Sequence, residues 1–96
     1  MDGGFMKYSI EFSSDVQKTL KKWKKSNPRS FKKLHELLPE LESHPRVGIG
    51  HPEPLKGYGN VRFSRHLSGH DRVIYDIYDD TVVVLVIQVG GHYYDK

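Results

Sequence analysis

The stretch Arg72-Val73-Ile74-Tyr75-Asp76-Ile77-Tyr78-Asp79-Asp80-Thr81-Val82-Val83-Val84-Leu85-Val86-Ile87-Gln88-Val89 decides the fold. From Arg72 to Tyr78 the residues alternate, with Val73, Tyr75 and Ile77 facing one way, which is the period of a half-buried strand. Asp79-Asp80 reads as a tight turn. Val82 to Val89 is then apolar on both faces except at Gln88, the mark of a central strand. Two strands joined by so short a turn are antiparallel neighbours, so the C-terminal half is built around a hairpin.

Working back, Val61 to Leu67 alternates too, with Val61, Phe63 and Leu67 on one side and Arg62, Ser64 and His66 on the other. Ser68-Gly69 supplies the turn into the Arg72 strand. Pairing apolar with apolar sets Phe63 opposite Tyr75 and Val61 opposite Ile77, and the same register sets His66 opposite Arg72. Arg62, Ser64 and Asp76 share that polar face, interrupted by Ile74 and Tyr78, and it is expected to stay toward water as a cationic surface. The second hairpin returns the chain, so the end of the last strand lies beside the start of the Arg72 strand. His92, Tyr93 and Tyr94 follow that end. Register alone therefore gathers Arg72, His66 and His92-Tyr93 at one corner.

The N-terminal half supplies the other layer. Met6, Tyr8, Ile10 and Phe12 alternate with polar residues as a first strand. Ser14 and Gln17 have the spacing of a capping box, and Val16, Leu20 and Trp23 then line one helical face. Asn27 is the expected cap of a second helix, with Pro28 at its first position and Phe31, Leu34, Leu37, Leu38 and Leu41 as its apolar stripe. Pro39 inside that stripe is expected to kink the helix or end its regular part early. His44 to Asn60, with three prolines and four glycines, has the composition of an ordered loop. The element order is β-α-α-β-β-β, an α+β fold with an antiparallel-dominated sheet packed on a two-helix hairpin.

A chain of 96 residues has room for one core, read here as residues 6–96, with residues 1–5 as an extension of unknown origin. There is no cysteine, which excludes disulfides, thiolate zinc sites and cysteine nucleophiles. No apolar run approaches a membrane span, so no membrane partner and a cytoplasmic location are expected. Net charge is +3 and the pI about 9.2, which suggests a polyanionic partner. From Val16 through His35 there are eight basic residues (Lys18, Lys21, Lys22, Lys24, Lys25, Arg29, Lys32, Lys33) and no acid. A solvated helix face and a nucleic-acid contact both fit such a run.

The corner offers chemistry. Cleaving RNA without a metal needs a base for the ribose 2′-hydroxyl, a cation for the charged phosphorane and an acid for the leaving 5′-oxygen. A carboxylate, an arginine and a histidine can fill those roles, and tyrosines beside them can stack on an unpaired base. His66 and His70 straddle a turn without a ligand box, so no metal site is expected, and no cofactor fingerprint is present.

The segments Gly50-His51-Pro52-Glu53-Pro54-Leu55-Lys56, Ser64-Arg65, His70-Asp71-Arg72-Val73-Ile74-Tyr75 and Gly91-His92-Tyr93 together resemble the RelE/YoeB superfamily of toxins, most closely its YoeB/Txe branch. The resemblance extends from Met6 to the C-terminus. It implies a microbial-RNase-like fold and the toxin of a type II toxin–antitoxin system, cleaving mRNA in the ribosomal A site as a metal-independent endoribonuclease without a cofactor. By position it implies Glu53 as general base, Arg72 as phosphate-stabilising cation and His92 as general acid. Tyr93 and Lys56, with His66 and Arg65, are the expected substrate-binding residues. The implied partners are mRNA, the ribosome and a cognate YefM-like antitoxin, with a homodimer as one assembly. Within the basic run Lys18, Lys21, Lys22, Lys25, Arg29 and Lys32 are the candidates for rRNA contact, solvation being the other reading.

The sequence departs from the close pattern at His66, where a relative has arginine, at His70, where it has glutamate, and at Phe63, where tryptophan is usual. Tyr94-Asp95-Lys96 runs beyond that relative's end. Two other functions remain open at this point. A ParE-type toxin, which inhibits gyrase, would not need Glu53 and His92; a plain RNA-binding module would bind message without cutting it.

Overall fold

The computed structural model describes residues 7–48 and 50–91. Their order is β1 (Ser9–Phe12), α1 (Ser14–Ser26), α2 (Pro28–Ser43), β2 (Glu53–Pro54), β3 (Arg62–His66), β4 (Arg72–Tyr78) and β5 (Val83–Gly90). The strands form one sheet in the order β1-β5-β4-β3-β2. Every neighbouring pair is antiparallel except β1 with β5, which is parallel. That exception joins the first strand to the last, with both helices and three strands between them in the chain, ample length for a parallel pair. The expected α+β architecture is present, and the expected extension 1–5 lies outside the described residues.

One cap differs in detail from the sequence pattern. Ser13, not Ser14, caps α1, its hydroxyl accepting the Val16 N–H. Gln17 does not close a capping box; its side-chain amide donates to the Phe12 carbonyl at 2.9 Å. Asn27 caps α2 as expected, accepting from Ser30 N–H, with Pro28 at the helix start. Pro39 does not end α2, which runs on to Ser43. One missing N–H is a local loss, and Leu41 beyond it is fully buried and holds the last turn to the core.

The helices cover one sheet face. Val16 and Trp23 of α1 and Leu34, Leu37 and Leu41 of α2 pack against Phe63, Val73, Tyr75, Ile77, Val84 and Val86. β5 lies between β1 and β4, which accounts for its continuous apolar run. Its turn from β4 is longer than the expected two residues: Asp79–Val82 intervene, with Val82 at φ 56° and its carbonyl accepting Ser9 N–H at 2.9 Å.

The second face is less open than expected. Ser64, Ile74 and Asp76 on it are buried. Long side chains cover them: Arg62 pairs with Asp76 through two contacts (2.7 and 3.0 Å) while lying 4.2 Å over the Tyr58 ring. Tyr78 donates to the same carboxylate.

Candidate active site

The β3–β4 register is the one expected, with Phe63 opposite Tyr75 and His66 opposite Arg72. Arg72 in turn lies opposite Gly90 of β5. A register shift between Ile74 and Tyr75 moves the β5 partner from Gln88 to Val86, leaving Ile87 as an extra residue. This bulge sets which β5 residue meets Arg72.

Glu53 arrives from the other side. Sequence composition reads its neighbourhood as loop, but Glu53 and Pro54 form an edge strand, with Glu53 opposite Ser64 and Pro54 opposite Phe63. A proline is tolerated there because an edge strand needs no second ladder. Hydrogen bonds at both ends fix the register, His66 N–H to the Gly50 carbonyl (2.9 Å) and Leu55 N–H to the Arg62 carbonyl (2.9 Å). Gly50, at φ 84°, makes that close approach possible, since a Cβ there would press on the His66 carbonyl oxygen at 3.0 Å.

Cross-strand partners share a face, so Glu53, Ser64 and Arg72 stand together. The Arg72 guanidinium donates to the Ser64 hydroxyl at 3.0 Å and lies 3.5 Å from the Glu53 carboxylate. The ion pair is loose, with about two thirds of the Glu53 side chain (64%) exposed and 27% of Arg72. An exposed proton acceptor beside a fixed cation is thus available to a phosphodiester approaching from solvent.

Of the other expected site residues, His66 is half-buried beside this pair, its ring edge-on to His51 at 6.1 Å. It also borders a pocket of about 90 Å³ with Lys33, Glu36, Leu37 and Gly50. Lys56 is exposed in the turn after β2. His92 and Tyr93 lie outside the described residues, which end at Gly91, next to the Gly90 partner of Arg72.

Arg65 must be corrected. It was expected to bind substrate, but it is wholly buried on the helix side of the sheet. Its guanidinium donates to the Tyr75 hydroxyl (2.9 Å) and to the carbonyls of His44 (2.5 Å) and Val47 (2.9 Å). Strand alternation puts Arg65 with Phe63 and opposite Val73, so its burial follows from the register. Tyr75 completes the arrangement, donating to the Pro45 carbonyl at 2.6 Å. Burial pushes the Tyr75 hydroxyl above its ordinary pKa, opposed by Arg65. Arg65 therefore holds the segment after α2 onto the sheet.

Sequence reasoning left Ser64 and His51 out of the site. Ser64 was legible, since the register puts it on the Arg72 face. His51 was not, because its place depends on the left-handed backbone at φ 53°. Among the described residues no group of three His, Asp or Glu side chains gathers to hold a metal ion, and no helix is long and apolar enough to cross a membrane.

Known proteins share this fold. Residues 12–93 match the family model for the YoeB-like toxin of bacterial type II toxin-antitoxin system. Toxin YoeB of Streptomyces coelicolor is 31% identical over 84 residues, 88% of this chain and 98% of that protein. Toxin YoeB of Escherichia coli is 32% identical over 62 residues, 65% of this chain and 74% of that protein. Among solved structures, a YoeB/ParE toxin from Agrobacterium tumefaciens superposes with a TM-score of 0.79 at 26% identity, over 88% of this chain and 99% of that one. A YoeB–YefM complex from Staphylococcus aureus gives 0.74 at 28% identity, over 90% and 98%. With a family model spanning most of its length and a relative matched over nearly the whole of its own, this chain belongs to the YoeB-like toxin family of bacterial type II toxin–antitoxin systems.

Proposed function

We propose that the protein is an endoribonuclease that cuts mRNA in the ribosomal A site, with no metal ion taking part, and that it acts in the cytoplasm. The observation that carries this reading is the Glu53 carboxylate 3.5 Å from the Arg72 guanidinium on the partly open sheet face. Glu53 takes the proton of the ribose 2′-hydroxyl, and the freed oxygen attacks the adjacent phosphorus. Arg72, steadied by Ser64, balances the charge that grows on the phosphorane oxygens. His92, two residues beyond the Gly90 partner of Arg72, returns a proton to the departing 5′-oxygen, leaving a 2′,3′-cyclic phosphate. Tyr93 stacks on an unpaired base, and Lys56 and His66 contribute positive charge to the RNA backbone.

Lys18, Lys21, Lys22, Lys25, Arg29 and Lys32 are exposed on the helices and supply an rRNA-binding face. A similar structure described as a YoeB–YefM complex supports a cognate YefM-like antitoxin as partner. Another described as a YoeB dimer supports a homodimer.

The test is purified translation with primer extension on a defined message. Cuts at A-site codons made by the wild type and lost in Arg72→Ala are expected. An uncut message, or cutting that survives Arg72→Ala, rejects the reading. Toxicity retained by both Glu53→Ala and His92→Ala would instead favour a ParE-like, non-nuclease action.

A further inference from the structure

Asp71 joins the helical hairpin to the strand that bears Arg72. Its Oδ2 accepts the Asn27 side-chain amide at 2.9 Å and the Ser30 hydroxyl at 2.6 Å. Ser30 is buried at the start of α2, and Asn27 is the residue between the helices. The turn itself is closed around the same residue. The Asp71 carbonyl accepts from Leu67 N–H (2.8 Å) and Ser68 N–H (3.2 Å), while the Ser68 hydroxyl accepts from Asp71 N–H (3.1 Å). A carboxylate held by two donors on a buried helix corner leaves little freedom to the residue that follows it, Arg72.

The end of β5 is seated on this same turn. A Cβ added at Gly91 would run into the His70 carbonyl oxygen and lie 3.6 Å from Asp71 Oδ1, whereas one added at Gly69, in the same turn, would meet open space. The obstacle at Gly91 is backbone, which cannot swing aside as a side-chain tip can. Arg72 follows Asp71 in the chain, and His92 follows Gly91.

We propose that Asp71 and Gly91 are positioning residues. Asp71, anchored by Asn27 and Ser30, fixes the turn from which Arg72 emerges, and the bare backbone of Gly91 seats the start of the C-terminal segment directly on that turn. One contact thus ties the turn that bears Arg72 to Gly91, which His92 follows in the chain. This rests on the ribonuclease reading for its catalytic consequence, while the positioning itself can be read without RNA.

The experiment uses the full chain carrying Gly91→Ala, Gly69→Ala, Asp71→Asn or Asp71→Ala. It combines message cleavage in purified translation with NMR of the free protein, following the Arg72 Nε–H and the His92 ring signals. A displacement near 1 Å lowers kcat for Gly91→Ala by roughly 100-fold with KM unchanged. Gly69→Ala behaves as wild type. Asp71→Asn, whose amide oxygen still accepts from Ser30, keeps more activity than Asp71→Ala. Both followed signals move in Gly91→Ala and stay in Gly69→Ala. A Gly91→Ala protein with wild-type kcat and unmoved signals overturns the proposal, as does a raised KM at constant kcat. If the wild type cuts no message the ribonuclease reading falls, and the signals alone still decide the positioning.

Discussion

At the scale of single residues, two arginines on one strand pair divide the work by the direction they face. Arg72 lies on the side with Glu53 and Ser64, within reach of solvent, whereas Arg65 lies inside with Tyr75. Their substitutions should therefore fail differently. In the proposed mechanism Arg72→Ala removes the charge that meets the phosphorane, and it should lower turnover by at least about 100-fold, with a urea midpoint near that of the wild type. Arg65→Met strips donors from the His44 and Val47 carbonyls and the Tyr75 hydroxyl, and should cost about 3 kcal/mol or more in urea unfolding. A rise in KM at unchanged stability in Arg65→Met would return it to substrate binding. Tyr75 adds a pH signature. Its native pKa is raised by burial, so the unfolded chain ionises first. The stability it contributes is complete below the unfolded value of about 10 and is lost as pH rises from there through the higher native value. Tyr75→Phe should flatten that alkaline decline, measured as urea midpoints across pH 9–11.

At the scale of elements, most of the layout could be read from the sequence because hydrophobic period and pairing register determine each other. Phe63 opposite Tyr75 carries His66 to Arg72 with no further information, and the Asn27-Pro28 start of α2 follows from backbone chemistry alone. Elements that the pattern does not encode were missed. Glu53-Pro54 is too short for any period, and its pairing comes from backbone hydrogen bonds at Gly50 and Leu55 on either side. The bulge at Ile87 is silent because β5 is apolar on both faces apart from Gln88, so a one-residue shift leaves little trace in the pattern. Arg65 misled because the family resemblance brings it in with Ser64 as one segment, although alternation already placed it with Phe63. Pro39 shows tertiary packing overriding a local signal. Its exposed position within α2 predicts that Pro39→Ala restores a backbone donor and raises stability by about 1–3 kcal/mol, as a higher melting temperature. A lower one would mean that the proline shapes the helix for its packing.

At the scale of the whole molecule, the basic helices cover one side of the sheet and the Glu53–Arg72 pair stands on the other. In the proposed mode of action the first side holds the ribosome and the second meets the message. Replacing Lys18, Lys21 and Lys25 with glutamine should weaken ribosome binding and flatten its dependence on salt, by about 0.7–0.9 of a log-log unit for each phosphate no longer neutralised. Binding by filtration over a salt series measures this, and an unchanged slope would make the lysines a solvated face. The central claim concerns the bond that is broken, and the end left on the upstream fragment records it. The most direct measurement is therefore mass spectrometry of that fragment after cleavage by a purified, ribosome-bound protein. Attack by the 2′-hydroxyl activated by Glu53 predicts a 2′,3′-cyclic phosphate, absent when the nucleotide before the cut is 2′-deoxy; a free 3′-hydroxyl, or cutting that tolerates the deoxy substitution, would contradict it.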